Sequence, residues 1–197
     1  AGAYGQAGPQ QVIRDTSEQL KVILQENKQR MVDEPEYVYR LADEVFVPHV
    51  DLGRVSSLVL GKHWRKATPE QKQAFADEFK RMLVRTYATA LRELGDWEVD
   101  FLPLRTQPGE QRVVVQTLMP RAGAPPVAMD YRMHQKNGQW LAFDVSVEGV
   151  SLITNYRASF SRLIRQKGLD GLIKELAARN EQGQSLGEPV AANMVAR

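Results

Sequence analysis

The chain predicts an α+β fold in a single domain, with a twisted antiparallel sheet of about four strands packed against several helices. Three observations carry this. Apolar residues recur at helical spacing from Val12 to Leu94, the period drops to two between Trp97 and Val147, and it becomes helical again after Glu148-Gly149. Helices first, then strands in hairpin order, then helices describe a sheet covered by segregated helices, and 197 residues are enough for one core.

Residues 1–8 are small and Gly-rich and are expected to be flexible; the folded domain is expected over 9–182. Pro9 suits the first turn of a helix whose buried face is Val12, Ile13, Thr16, Leu20, Ile23, Leu24 and Met31. A second helix restarts at Pro35 with Tyr37, Val38, Leu41, Val45 and Phe46, and Pro48 closes it. Asp51 can cap a third, carrying Val55, Leu58 and Val59 toward Leu60 and Trp64. Thr68-Pro69-Glu70-Gln71 combines a cap, a proline at the first helical position and a glutamine that completes a capping box. The helix it opens lines up Phe75, Phe79, Met82, Leu83, Thr86, Tyr87, Ala90, Leu91 and Leu94, and Gly95 ends it.

Trp97, Val99 and Phe101 then alternate with acidic residues, and Val113, Val115, Thr117 and Met119 with Val114 and Gln116, the chain turning between them at Pro108-Gly109. Pro120 to Pro126 reads as a polar loop leading to a hairpin around Asn137-Gly138. A two-residue loop there would pair Gln135 with Trp140, Tyr131 with Asp144 and Arg132 with Phe143, mixing charged and large apolar groups on both faces. A three-residue loop over Lys136-Asn137-Gly138 pairs Met133 with Leu141, Tyr131 with Phe143, Met129 with Val145 and Val127 with Val147, making one face apolar; that register is expected. Leu152, Ile153, Tyr156, Phe160, Leu163 and Ile164 mark the next helix, which Gly168 ends; Asp170 can cap another with Leu172, Ile173, Leu176 and Ala177. Residues 183–197, with Gly183, Gly187 and Pro189, are expected to be loosely ordered.

Composition narrows the function classes. Hydrophobic content of 43% and charged content of 25% are ordinary for a globular protein, and a net charge of +2 does not indicate a polyanion binder. The absence of cysteine removes disulfides, thiolate metal sites and cysteine nucleophiles. No run approaches the roughly 18 apolar residues of a membrane span. A chain starting at Ala1 is expected to be processed or trimmed, with any targeting signal lost from view. His49, His63 and His134 lack the spacing of a metal pair, so no metal site is expected; no G-x-S-x-G elbow and no glycine-rich phosphate loop occur. The interleaved aromatic and basic residues at Tyr37–Arg40 and Tyr156-Arg157 read as helical faces, not as base-stacking platforms, so no nucleic acid is expected. One constellation offers chemistry. In the three-residue register Asp130 and Asp144 lie opposite each other, with Arg132 one step along, and paired carboxylates can do acid–base work when one raises the pKa of the other. The competing reading is that Arg132 or a helix terminus satisfies both carboxylates and their role is structural.

Leu58-Val59-Leu60-Gly61, Ala67-Thr68-Pro69-Glu70-Gln71, Pro125-Pro126-Val127, Trp140 with Asp144, Glu148-Gly149-Val150-Ser151, Ile153-Thr154-Asn155-Tyr156-Arg157, Phe160 and Gly168-Leu169-Asp170-Gly171-Leu172 resemble, in order and spacing, the MlaC/toluene-tolerance family. The likeness runs from about Leu20 to about Arg179. It implies a fold similar to the nuclear-transport-factor-like type with a deep apolar pocket. It also implies a periplasmic, non-enzymatic carrier of diacyl phospholipid, the lipid being cargo and no cofactor being needed. The implied partners are an inner-membrane ABC transporter complex with its membrane-anchored lipid-binding subunit and an outer-membrane lipoprotein complex, the chain acting as a monomer in maintaining outer-membrane lipid asymmetry.

Such a carrier must keep two acyl chains dry. At roughly 0.8 kcal/mol per methylene this is on the order of 20 kcal/mol of hydrophobic free energy, while the head group can stay in water. The pocket walls expected on this reading are Phe101, Val115, Met129, Tyr131, Phe143, Val145 and Val147 from the sheet. The helices and their approach would add Leu60, Phe79, Leu83, Tyr87, Val150, Ile153, Tyr156 and Phe160. The enzyme alternative is a small-molecule enzyme of similar fold using Asp130 and Asp144 as acid and base.

Overall fold

The computed structural model describes residues 7–93 and 98–184, with residues 88–93 as backbone only. The described residues form helices α1 (Pro9–Glu26), α2 (Lys28–Asp33), α3 (Tyr37–Val45), α4 (Leu52–Leu60), α5 (Lys62–Lys66), α6 (Pro69–Glu93) and α7 (Leu152–Gln182). Strands β1 (Asp100–Phe101), β2 (Arg112–Arg121), β3 (Ala124–Lys136), β4 (Gln139–Val147) and β5 (Val150–Ser151) make one open antiparallel sheet in the order β1-β2-β3-β4-β5. The α+β class of a single domain stands, with five strands instead of four.

The helix signals are realised with two breaks that periodicity did not show. Val12, Ile13, Thr16, Leu20 and Leu24 are buried along α1, but Asn27 (φ −121°) leaves the helix, its side-chain amide donating to the Ile23 carbonyl at 2.9 Å, and Met31 is buried from a separate turn, α2. Gly61, at φ 56° and ψ −123°, likewise separates α4 from α5. The capping box forms as read: the Thr68 amide donates to Gln71 Oε1 at 2.9 Å and the Gln71 amide to Thr68 Oγ1 at 3.1 Å. Gly95 and Trp97 lie outside the described residues. Gly168 (φ 73°) breaks α7 into two segments. The Asp170 carboxylate, read as a cap for the second, accepts a hydrogen bond from Gln71 Nε2 at 2.8 Å.

The sheet departs further from expectation. Pro120–Pro126 is not a loop. β2 runs through to Arg121 and β3 starts at Ala124, joined at Ala122-Gly123 with Gly123 at φ 68°. A third tight turn, Glu148-Gly149 (φ 49° and 79°), folds β5 back on β4. At Asn137-Gly138 the loop has two residues, both at positive φ (51° and 78°), the signature of a type I′ turn, and Lys136 pairs with Gln139. The three-residue register is therefore wrong, and the reason lies in β4. Its apolar residues have two parities: Trp140 and Ala142 on one, Val145 and Val147 on the other. No single register turns both pairs inward. A bulge resolves this, with Met133 opposite Ala142 but Arg132 opposite Asp144, so that Phe143 is the extra residue. Beyond the bulge Tyr131 faces Val145 and Met129 faces Val147.

Among the described residues four apolar clusters organise the interior. Val59, Leu60, Phe75, Phe79, Met82, Ile153, Tyr156, Phe160, Ile164, Leu172 and Leu176 knit α4, α6 and α7 together. Leu20, Leu24, Met31, Val38, Leu41 and Val45 join α1, α2 and α3. On the inner face of the sheet, Val113, Val115, Met133 and Ala142 meet Val12 and Ile13 of α1. Toward the sheet's other end, Met119, Val127 and Val147 form a fourth group.

Candidate functional site

Between the last two clusters the inner face changes character. Val115 and Met133 are fully enclosed and Met119 and Val127 nearly so, yet Met129, Tyr131 and Val145, in the strip between them, stay half-buried. Tyr131 is the most informative of the three. Burial pushes its phenol up to about 12, with no neighbouring group offsetting the shift. Tyr131 is thus crowded by protein while keeping some accessible surface. Leu152, at the start of α7, is also half-buried and packs against both the helical cluster and the Met119–Val127–Val147 group.

The helical side opposite is dense. Phe75 stacks on Phe79 at 5.4 Å, Phe160 meets Phe75 and Phe79 edge-on at 5.8 and 5.5 Å, and Tyr156 meets Phe79 at 5.4 Å. Leu60, Phe79, Ile153, Tyr156 and Phe160 belong to this packed layer, with Leu83 half-buried against it. Tyr87 gives Tyr156 a hydrogen bond, which works against the upward push of burial on the Tyr156 phenol without cancelling it.

Three expected wall positions lie elsewhere. Phe143, on the bulge, is buried against the opposite set of side chains: the Arg54 and Arg132 guanidinium carbons are 4.6 and 5.4 Å from its ring centroid, and the His134 ring meets it edge-on at 5.3 Å. Val150, in β5, is 51% exposed. Phe101 carries the Arg14 guanidinium at 4.3 Å and helps line a polar cleft of about 290 Å³ with Ser17, Glu18, Lys21, Glu98 and Asp100. Leu152 and Trp140, half-buried against these clusters, are not among the expected wall positions; the split parity of β4 was the signal for Trp140, and nothing in the spacing marked Leu152 as a bridge.

The paired-carboxylate arrangement does not form. Asp130 is opposite Ser146, and Asp144 is opposite Arg132, with Arg132 Nη1 at 3.9 Å. Asp144 is buried at the N-terminus of α7, where Oδ2 accepts from Ser151 Oγ at 2.6 Å and Oδ1 from the Ile153 amide at 3.3 Å. A carboxylate there satisfies helix donors and favours the helix dipole. Among the described residues no group of histidines and carboxylates could hold a metal ion.

A second buried carboxylate fixes α4 to the hairpin. Asp51 caps α4 through the Arg54 amide at 3.0 Å and holds Lys136 Nζ at 3.0 Å and His134 Nε2 at 3.1 Å. Burial works to raise the Asp51 carboxyl, but the Arg54 amide, Lys136 and His134 together outweigh it and hold it below its ordinary value. With the folded-state value depressed, this stabilisation is present above the unfolded carboxylate range and lost as pH falls through the folded value. Asp51→Asn should therefore lower stability at neutral pH by about 1–3 kcal/mol and flatten its decline below about pH 4. Denaturant melts at neutral and acid pH check this; an unchanged acid slope would contradict it.

The sequence and the fold match known proteins. The family model described as MlaC protein matches residues 14–178. The chain belongs to the MlaC family. The toluene tolerance protein ttg2D of Pseudomonas putida is 29% identical over 163 residues, 82% of this chain and 75% of that protein. The intermembrane phospholipid transport system binding protein MlaC of Haemophilus influenzae is 21% identical over 194 residues, 97% of this chain and 88% of that protein. A solved structure, that of the phospholipid-binding protein from Ralstonia solanacearum in complex with a phospholipid, superposes with a TM-score of 0.84 at 30% identity, covering 90% of this chain and 99% of that one.

Proposed function

We propose that this chain is a phospholipid carrier that takes the acyl chains of a diacyl phospholipid between the inner face of the sheet and the helices, leaving the head group in water. The observation that carries the reading is the half-buried strip of Met129, Tyr131 and Val145 between enclosed clusters, in a fold shared with a protein solved with phospholipid bound. Leu152, half-buried between the helical cluster and the Met119–Val127–Val147 group, continues the strip toward α7. Methionine at position 129 suits a wall that adapts to chains of different length and unsaturation. The cargo serves as ligand, with no cofactor and no catalytic step; Asp130 and Asp144 have no part in it. In the cell the carrier works in the periplasm, as a monomer, between an inner-membrane ABC transporter complex and an outer-membrane lipoprotein complex, and helps maintain outer-membrane lipid asymmetry.

Native mass spectrometry of protein purified without added lipid tests the binding step. The expected spectrum shows a mass increment that dissociates as a diacyl phospholipid on activation. Protein that remains free of lipid, and takes none from phospholipid vesicles offered afterwards, would overturn the reading.

A further inference from the structure

The short helix α5 spells Lys62-His63-Trp64-Arg65-Lys66, and the break at Gly61 sets it apart from α4. Lys62, Arg65 and Lys66 are exposed. Trp64 is half-buried against the helical cluster, and Lys72 of α6 places its ammonium 5.1 Å from the indole centroid. Arg165 of α7 closes the group from a third element: burial, then Lys62, Lys66 and Arg165, hold the His63 imidazole below its ordinary pKa. His63 Nε2 is buried without a hydrogen-bond partner. Among the described residues none of Lys62, Arg65, Lys66 and Arg165 makes an ion pair. Of the acids flanking the cluster in sequence, Glu70 stands in the first turn of α6 and Asp170 is engaged by Gln71. Five cations thus lie on α5 or against its side chains, in a protein whose net charge is only +2. Holding like charges together without counter-ions costs free energy that an external anion would recover.

We propose that this α5 surface is an electrostatic docking face for anionic lipid bilayers. The choice of a bilayer over an acidic protein rests on the side chains. Three of the five cations are lysines, which bind as hydrated point charges suited to a diffuse field of head groups, whereas carved carboxylate sites favour the planar fork of arginine. Trp64 set among them has the mix of apolar ring and polar edge that suits the membrane–water boundary. The docking face goes beyond cargo binding, because it acts at the protein surface and needs no lipid against the Met129, Tyr131 and Val145 strip.

Sedimentation of the full chain with vesicles of phosphatidylcholine, with or without phosphatidylglycerol, tests the proposal at low and high salt. Binding is expected only with phosphatidylglycerol and should fade as salt rises. Each basic residue near an anionic surface is worth about fivefold in affinity, so the triple variant Lys62→Glu, Arg65→Glu, Lys66→Glu should bind at least about 100-fold more weakly. A control triple reversing exposed cations elsewhere, Lys28→Glu, Arg112→Glu and Lys174→Glu, should retain most of the binding. Should the first triple fail to fold, the alanine version at the same three positions carries the same comparison. Failure of the wild type to bind phosphatidylglycerol vesicles, undiminished binding by the α5 variant, or an equal loss in the control would each overturn it. Co-purified phospholipid should be the same in all these variants, so loss of docking and loss of cargo are read separately.

Discussion

Tyr131→Glu is expected to yield folded protein that purifies with little or no phospholipid. The tyrosine stands in the middle of the inner face, opposite Val145, with an enclosed cluster toward each end of the sheet. If the space it borders fills with acyl chain, a carboxylate there must be desolvated against hydrocarbon, a penalty of several kcal/mol. Lipid affinity should fall by about 100-fold or more, the equivalent of roughly 3 kcal/mol. In the empty protein the same carboxylate can hydrate, so stability should drop far less than affinity. Phe160→Glu provides the contrast. Phe160 is fully enclosed by Phe75, Phe79 and Tyr156, and an unpaired carboxylate there threatens a domain whose whole stability is about 5–15 kcal/mol. Melting curves and lipid extraction on the same samples decide the matter. If Tyr131→Glu unfolds as Phe160→Glu does, the strip is ordinary core; if it folds and keeps its full complement of lipid, the cargo lies elsewhere.

The parts of this molecule legible in the sequence are those fixed by local chemistry. Thr68-Pro69-Glu70-Gln71 gives a capping box, Asp51 gives a cap, and Gly168 breaks a helix, because each depends on groups only a few residues apart. The order of elements followed from the change of period, and the family from motifs spread along the chain. Register was less accessible, since it depends on where a strand spends an extra residue. The expectation of one uniform register put Phe143 beside Tyr131, whereas the bulge places it against Arg54, Arg132 and His134. Trp140 and Ala142 against Val145 and Val147 held the clue, because a strand whose inward residues change parity requires a bulge between them. For the wall itself, pattern identified apolar residues but had no means of separating enclosed ones, such as Val115 and Phe160, from half-buried ones, such as Met129 and Val145. That distinction arises from how closely helices approach the sheet, a property of the packed whole.

Asp144→Ala should produce the largest loss of stability among single changes at polar positions, while leaving lipid content per folded molecule unchanged. The carboxylate is 5% exposed and joins three pieces of structure: the strand β4, the β5 residue Ser151 and the first turn of α7. Ser151 Oγ, which donates to Asp144, also accepts from the Thr154 amide at 3.2 Å, so the aspartate orients the helix cap as well as taking the Ile153 amide. Removing it leaves a hydroxyl and an amide without an acceptor and takes a negative charge from a helix N-terminus, while exposed Arg132 simply returns to water. The summed cost is about 2–4 kcal/mol, a fall of roughly 5–15 °C in melting temperature for a domain of this size. Asp144→Asn should cost only about 1 kcal/mol, since its carbonyl can keep the Ile153 amide and its NH₂ can donate to Ser151. Asp130→Asn should matter less again, because Asp130 faces Ser146 and holds no helix end. This ranking separates a positioning carboxylate from a catalytic pair, in which loss of either partner would abolish the same activity. Equal melting temperatures for wild type and Asp144→Ala would remove the cap from the account of how β4 and β5 are joined to the start of α7.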